Sequence, residues 1–315
     1  MSESQSEDFV LKCLLLVISS ISLLVNFLLA CFLLRNNKHI LKRKSNKFLF
    51  NMVLSDTCVS IATVCFAASI ISDKRLSTDA MFHTQQQHWL ILIAAFAPIS
   101  ISNLMLLTID RVIAVTKPFF YTDKFLNKYV YYFISISWLF AVLDILTFEL
   151  LATYVEVFHE LFYTILHSCL VCFISLGLIT LTLSNFFIFV EARRQLHKIN
   201  ALSANQLNHK TLGHAKECRL IRITIGLVMV FLICWIPCFV LSLRFLLTQN
   251  LNFRFLMSVW IIAVVNYLLN PFIYLCLSHD AKTEFRITFF RLKTFVSSSS
   301  LNNGGSISIS ERYQT

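Results

Sequence analysis

The amino-acid sequence contains seven apolar stretches, each long enough to cross a lipid bilayer as a helix. One crossing takes about 20 residues, and the segments between the stretches carry most of the charge. Only 14% of the 315 residues are charged, against about 25% in a soluble domain. We therefore predict an all-α membrane protein with a seven-transmembrane helix bundle. The predicted spans are 9–34, 47–72, 89–116, 129–151, 161–190, 219–247 and 255–277.

The basic residues are divided unevenly between the two sides of the bilayer. With the amino terminus outside, 22 of the 27 Lys and Arg residues fall on the inner side and five on the outer side. Positive residues collect on the cytoplasmic side of membrane proteins. The count predicts an extracellular amino terminus and a cytoplasmic carboxyl terminus at the plasma membrane. The net charge of +10 is then a topology signal, and no nucleic-acid partner is expected.

Three further segments flank or connect the 9–277 membrane domain. Residues 1–8 are a short polar extracellular terminus, and 191–218 form a basic inner loop. In 278–294 phenylalanines recur at helical spacing with basic residues between them, which predicts an amphipathic cytoplasmic eighth helix on the inner leaflet. The Ser-rich tail 295–315 is predicted to be disordered.

The last span contains a polar joint at Asn270 and Pro271. Proline removes one helical hydrogen bond, and in lipid the freed carbonyl and the amide side chain need partners. Other polar residues within the spans are few, and each is costly unless it is paired or hydrated. They are Asn26, Asp56, Asn103, Asp110, Arg111, Asp144, Glu149, Asn185, Arg244 and Asn266.

The order of these residues resembles that of the rhodopsin-like, or class A, G-protein-coupled receptors, across all seven spans. The resemblance implies a non-enzymatic receptor that binds an extracellular ligand. It also implies activation of a heterotrimeric G protein through a two-state helix rearrangement. The matching motifs are Asn26, Asn51-Met-Val-Leu-Ser-Asp56, Ile109-Asp110-Arg111-Val112, Pro118-Phe119, Trp138, Cys234-Trp235-Ile236-Pro237, Asn266 and Asn270-Pro271-Phe272-Ile273-Tyr274.

A buried sodium site is the first feature that the resemblance implies. Asp56, Ser100, Asn266 and Asn270 match the residues that hold an allosteric sodium ion in the family. The alternative is that Asn26 and Asn270 bond Asp56 without an ion. No other cofactor or metal is expected.

A latch at the inner end of the bundle is the second implied feature. Arg111 would be held in the resting state by Asp110 and by Glu217, which lies twenty residues before Pro237. Activation would free Arg111 to contact the G protein. The alternative is two ordinary charges in the headgroup zone.

The resemblance also assigns roles to other inner and central residues. Pro118 and Phe119 would contact the G protein. Tyr274, which follows Pro271, would swing inward on activation. Phe231 and Trp235 are four residues apart and share a helix face. Pro237 kinks the same helix. The resemblance makes Trp235 the floor of the ligand pocket and Phe231 part of the packing switch beneath it.

The ligand class is narrowed by two positions. Ile93 stands eighteen residues before Arg111, where amine receptors carry a carboxylate, and span seven has no lysine for a retinal Schiff base. A small molecule, lipid or short peptide remains. Arg244 could pair with a ligand carboxylate, or it could pair with Glu149 or Glu160 or reach the interface. Asp144 could hold a cationic group of the ligand, or it could form a helix–helix hydrogen bond. The candidate pocket residues are Trp89, Phe96, Asp144, Glu149, His167, Arg244 and Trp260.

Some positions depart from the family pattern. Gln86 stands where most members carry the outer disulfide cysteine, the second outer loop is short, and span five lacks a proline. These departures resemble the melanocortin, adenosine and lipid receptor branch. That branch usually carries Asp-Pro where this chain has Asn270-Pro271.

Other expected partners are membrane lipid and arrestin, through the Ser-rich tail. The competing class is a seven-span chemoreceptor, or an ion-pathway or transport protein not coupled to G proteins. The charge count opposes the first of these, and no internal repeat supports a transporter.

Overall fold

Seven helices make up the described part of the chain in the computed structural model. The structure describes residues 3–36, 44–72, 84–116, 124–154, 159–202, 210–248 and 253–277. Every predicted span lies within one helix, so the predicted seven-helix fold is confirmed. The predicted eighth helix and the tail lie outside the described residues. The helices are α1 Glu3–Arg35, α2 Lys44–Ser72, α3 Thr84–Thr116, α4 Lys124–Tyr154, α5 His159–Leu202, α6 Lys210–Thr248 and α7 Phe253–Leu277.

Helices α5 and α6 extend well beyond the apolar stretches that predicted them. Most of the predicted 191–218 loop is helical, because α5 continues to Leu202 and α6 begins at Lys210. Hydropathy detects only the part of a helix that lies in lipid. No proline interrupts either extension, and Glu191 faces Arg194 at 3.9 Å one turn on. α1 likewise begins at Glu3, inside the segment predicted as a polar terminus.

The helices differ in how far they are surrounded by protein. More than half of the membrane window of α2 and of α3 is buried (56%), against 11% for α4. α3 packs against α2, α4, α5 and α6, whereas α7 lies between α1 and α6. α3 therefore forms the centre of the bundle, and most of the surface of α4 is not covered by the other helices.

A glycine permits close packing beneath the centre of the bundle. A Cβ atom at Gly177 of α5 would lie 3.1 Å from Ile101 Cγ2 of α3 and 3.6 Å from Phe231 Cζ of α6. The first distance is shorter than ordinary van der Waals contact. The missing side chain at 177 thus allows three helices to meet at one level.

Candidate functional site

The carbonyl freed by Pro271 has a partner in the first helix. Pro271 has no N–H to offer the Tyr267 carbonyl four residues earlier. The buried Asn26 amide donates to this carbonyl at 3.0 Å and to the Ser22 carbonyl at 3.0 Å. The polar joint predicted in the last span is thus completed by α1. The ion-free alternative expected Asn26 to donate to Asp56 as well, and this bond is not formed.

Asp56 lies at the centre of a buried polar cluster between α2, α3 and α7. Its side chain is fully buried, and Asn270 Nδ2 donates to Asp56 Oδ2 at 2.9 Å. Ser100 of α3 is buried close to the same carboxyl group. A carboxylate in this setting is costly unless other groups compensate its charge. The structure therefore joins three of the four residues predicted for sodium.

The oxygen atoms of this region fit a hard cation. Asp56 Oδ1, Asn266 Oδ1 and Asn26 Oδ1 are buried and have no hydrogen-bond donor among the described residues. Carboxylate, amide and hydroxyl oxygens are the ligands that hard cations take. Asp56, Ser100 and Asn266 would hold a sodium ion, whose charge would offset that of the carboxylate. Asn270 would orient the carboxylate through its hydrogen bond.

A second amide joins three helices. Asn51 Nδ2 donates to Asn103 Oδ1 at 2.9 Å, and Trp138 Nε1 donates to Asn51 Oδ1 at 2.8 Å. Asn103 Nδ2 in turn donates to the Ile99 carbonyl at 2.8 Å. Hydrogen bonds of this kind between helices help to fix their positions in lipid. Asn51 therefore ties α2 to α3 and α4.

Phe231 and Trp235 are stacked, as their spacing predicted. Their ring centroids are 5.8 Å apart with 27° between the planes. Trp235 also meets the Tyr267 ring edge-on, at 6.3 Å and 83°. Trp235 Nε1 is buried without an acceptor among the described residues. Trp235, two residues before Pro237 in α6, thus brings the aromatic pair into contact with α7.

An interior cavity lies directly beside this aromatic pair. It has about 110 Å³ of free space between α2, α3, α5, α6 and α7. Trp235 and Tyr267 form part of its wall, and His167 and Trp260 are the predicted pocket residues that line it. His167 packs on Phe245 with ring centroids 4.3 Å apart. Most other lining side chains are aliphatic.

The other predicted pocket residues lie outside this lining. Glu149 Oε2 lies 2.7 Å from His88 Nδ1, and Arg244 is exposed, 5.9 Å from the Phe255 ring centroid. Of the two acids proposed to pair with Arg244, Glu149 is in contact with His88, and the side chain of Glu160 lies outside the described set.

The other three predicted pocket residues lie on α3 and α4. Phe96 packs against Trp138 at a 6.0 Å centroid distance. Trp89 is half-buried against the core. Asp144 faces a separate groove between α3, α4 and α5.

The end of the bundle that contains Asp110, Arg111 and Tyr274 is described only in part. Asp110 and Tyr274 are buried. The side chains of Arg111 and Glu217 lie outside the described set, as do Pro118 and Phe119. The predicted latch and G-protein contacts therefore remain predictions.

Tyr267 and Gly177 are the residues that the sequence reasoning missed. Tyr267 contacts Trp235, lines the cavity and supplies the carbonyl that Asn26 bonds. The sequence did contain a signal for Tyr267. One face of the last span carries Trp260, Val264 and Tyr267 at helical spacing, ending one turn before Asn270, and this spacing indicates that they point the same way. Gly177 had no comparable signal.

Comparison with known proteins supports the interpretation reached from the residues. The family model for the seven-transmembrane receptors of the rhodopsin family matches residues 25–274. A D(1)-like dopamine receptor of Takifugu rubripes is 23% identical over 287 residues, covering 77% of this chain and 60% of the relative. Human trace amine-associated receptor 2 is 31% identical over 170 residues, covering 49% of this chain and 46% of the relative.

The chain thus spans about half to three fifths of the length of these relatives. Both are named as receptors, which confirms the expectation of a non-enzymatic protein. The predicted placement near the melanocortin branch remains a prediction. The match over most of the membrane domain, the seven helices and the ordered motifs give one conclusion: the chain belongs to the rhodopsin family of seven-transmembrane receptors.

Proposed function

We propose that this receptor binds an extracellular ligand in the interior cavity and signals through a heterotrimeric G protein. The observation that carries the proposal is the position of Tyr267. Its side chain lines the cavity and contacts Trp235, and it lies one helical turn before Asn270, which donates to Asp56. A ligand pressing on Tyr267 or Trp235 would therefore act on the buried polar cluster.

The cavity favours a neutral, largely apolar ligand. Its hydrogen-bonding groups include Thr63, His167, Ser242 and the indole N–H of Trp235. No Asp, Glu, Lys or Arg of the described residues lines it. Of the small molecules, lipids and short peptides left open by the sequence, this lining supports a small molecule or lipid.

The named relatives suggest an amine ligand, which the cavity does not support. One is named for dopamine and the other for trace amines. An ammonium group in an apolar site needs a carboxylate or several dipoles. Ile93, at the position where the family resemblance places the carboxylate of amine receptors, lines the cavity. We therefore propose recognition without an acidic partner.

Signal transfer to the inner side would use the α6 helix. Trp235 and Glu217 belong to the same helix, Lys210–Thr248, so motion at the aromatic pair is transmitted along α6. Release of Arg111 from Glu217 would then expose it to the G protein, alongside Pro118 and Phe119. The two-state switch couples the cavity to this inner surface.

The proposed orientation places the amino terminus outside the cell at the plasma membrane. The distribution of 22 inner against five outer basic residues supports it. The same orientation exposes the Ser-rich tail to the cytoplasm, where arrestin is the proposed partner. Lipid is the proposed neighbour of the apolar surface of α4.

Nucleotide exchange on a promiscuous G protein tests the coupling. The receptor, reconstituted in nanodiscs, should accelerate GTPγS uptake without ligand, and Arg111→Ala should abolish the acceleration. Arg244→Gln, which changes an exposed arginine at the outer end of α6, should leave it intact. Equal exchange with wild type and Arg111→Ala would refute coupling through this residue.

A ligand screen tests the cavity. Apolar small-molecule and lipid fractions, with peptide and nucleoside fractions for comparison, are applied to the same assay. The response should disappear in Thr63→Trp, which fills the cavity, and persist in Ile61→Trp, on the exposed face of α2. A response that survives Thr63→Trp would place the ligand elsewhere.

A further inference from the structure

A second cavity lies on the bilayer-facing side of the bundle. It is a groove between α3, α4 and α5 with about 570 Å³ of free space. Ala94 and Leu170 line both this groove and the interior cavity, so they form the common wall between them. The groove is otherwise separate from the proposed ligand site, and nothing in the proposed function uses it.

The groove contains a single carboxylate among its described lining residues, that of Asp144. Asp144 is half-buried and lies within the apolar span Tyr129–Leu150, six residues before its outer end. Six residues of helix correspond to about 9 Å of depth. The carboxylate therefore lies in the hydrocarbon region rather than among the headgroups.

Asp144 has no partner in the described part of the protein. It makes no hydrogen bond and no ion pair with the Lys, Arg and His residues that the structure describes. The neighbouring acid on α4, Glu149, contrasts with it because Glu149 is paired with His88. An ionisable side chain inside a membrane span is costly and usually marks a functional site. The helix–helix hydrogen bond expected as the alternative role of Asp144 is not formed among these residues.

The surroundings of Asp144 are those that a cation with an apolar body would need. Phe133, Phe140, Phe148 and Phe173 line the same groove. Aromatic faces attract ammonium groups, more strongly where water is excluded. The aliphatic side chains of the lining, among them Met105, Leu106 and Leu176, would accept a hydrocarbon chain. Charge complementarity and apolar lining thus indicate the same occupant.

We propose that this groove binds a lipophilic amine, which reaches it from the bilayer and pairs its ammonium group with Asp144. A phospholipid headgroup does not suit the site because headgroups lie in the interfacial layer, outside the hydrocarbon core. The site differs from the interior cavity in both access and charge. Its ligand enters laterally and is cationic, whereas the interior ligand is neutral and comes from outside the cell.

Photolabelling tests the proposal without relying on signalling. The full chain in phosphatidylcholine nanodiscs is irradiated with an N,N-dimethyldodecylamine that carries a diazirine near the nitrogen. Labelled peptides should come from the groove faces of α4 and α5, and unlabelled amine should compete. Asp144→Asn should reduce this labelling about tenfold, a typical effect of losing one good interaction. Glu149→Gln, which removes a carboxylate from the same helix outside the groove, should label as wild type does.

A second variant keeps the test decisive if Asp144→Asn does not fold. Cys169→Trp fills the groove from an exposed position of α5 and leaves the carboxylate in place. It should reduce labelling as well. The proposal is overturned by equal labelling in Asp144→Asn, or by equal groove labelling with the matching diazirine dodecanol. Competition by phosphatidylethanolamine, or cross-linking of two receptor copies through this face, would overturn it too.

Discussion

Asn270 donates a 2.9 Å hydrogen bond to the buried carboxylate of Asp56 and so joins α7 to α2. The other carboxylate oxygen has no donor among the described residues. A sodium ion would complete this arrangement. Sodium should therefore stabilise the wild type, by about 1.4 kcal/mol at ten times its dissociation constant. Thermal unfolding in sodium chloride and in choline chloride should differ for the wild type and coincide for Asp56→Asn.

A control separates ion binding from loss of a hydrogen bond. Asn51→Ala also disrupts a buried amide of α2, but it leaves Asp56 and its oxygen neighbours intact. Its unfolding temperature should fall while the difference between the two salts persists. A salt difference that survives in Asp56→Asn contradicts the site.

The bond from Asn26 to the Tyr267 carbonyl should matter only because residue 271 is proline. Asn26→Ala in the wild type leaves a buried carbonyl unsatisfied, at a cost of about 1 kcal/mol or more. In a Pro271→Ala background the helix supplies its own N–H to that carbonyl, and the same substitution should cost markedly less. A double-mutant cycle from thermal unfolding measures the difference. Equal costs in both backgrounds would mean that Asn26 acts in some other way.

Gly177 should be coupled to Ile101. Alanine gains about 1 kcal/mol over glycine inside a helix, but its Cβ would lie 3.1 Å from Ile101 Cγ2. In the wild type the crowding should cancel most of this gain. In an Ile101→Ala background the methyl group is gone, and Gly177→Ala should stabilise the protein relative to that background by about the full helical gain. The four unfolding temperatures measure the coupling, and additivity would show that the contact is relaxed at no cost.

Loss of Glu217 should activate the receptor without ligand. If an Arg111–Glu217 ion pair holds the resting state, Glu217→Ala removes it and shifts the population toward the active state. Ligand-free exchange should rise severalfold, since ~1 kcal/mol changes a two-state ratio about fivefold. Lys216→Ala, at the adjacent position, controls for a general effect of changing this end of α6. Unchanged exchange in Glu217→Ala argues against the latch.

The seven spans were predictable because lipid imposes one long apolar run per helix, and each run lies within the helix found. The ends of α5 and α6 were not, since a helix that leaves the membrane loses the apolar signal and keeps its hydrogen bonds. Asp56 and Asn270 could be singled out in advance because both are costly in lipid, and the resemblance to the receptor family is what paired them. Asp144 was equally visible, but whether it faced the interior or the bilayer depended on the rotation of α4 about its axis. The sequence pattern of α4 does not settle that rotation, because apolar residues occur all around the helix.

The bond between Asn26 and residue 267 has a consequence for ligand preference. Its acceptor is a main-chain carbonyl, which every amino acid provides, while the side chain of the same residue lines the cavity. The tyrosine at position 267 can therefore be replaced by another residue without loss of the hydrogen bond that joins α1 to α7. The main chain of residue 267 holds two helices together, while its side chain contributes to ligand selectivity. Position 267 is therefore a favourable place to alter what the receptor recognises.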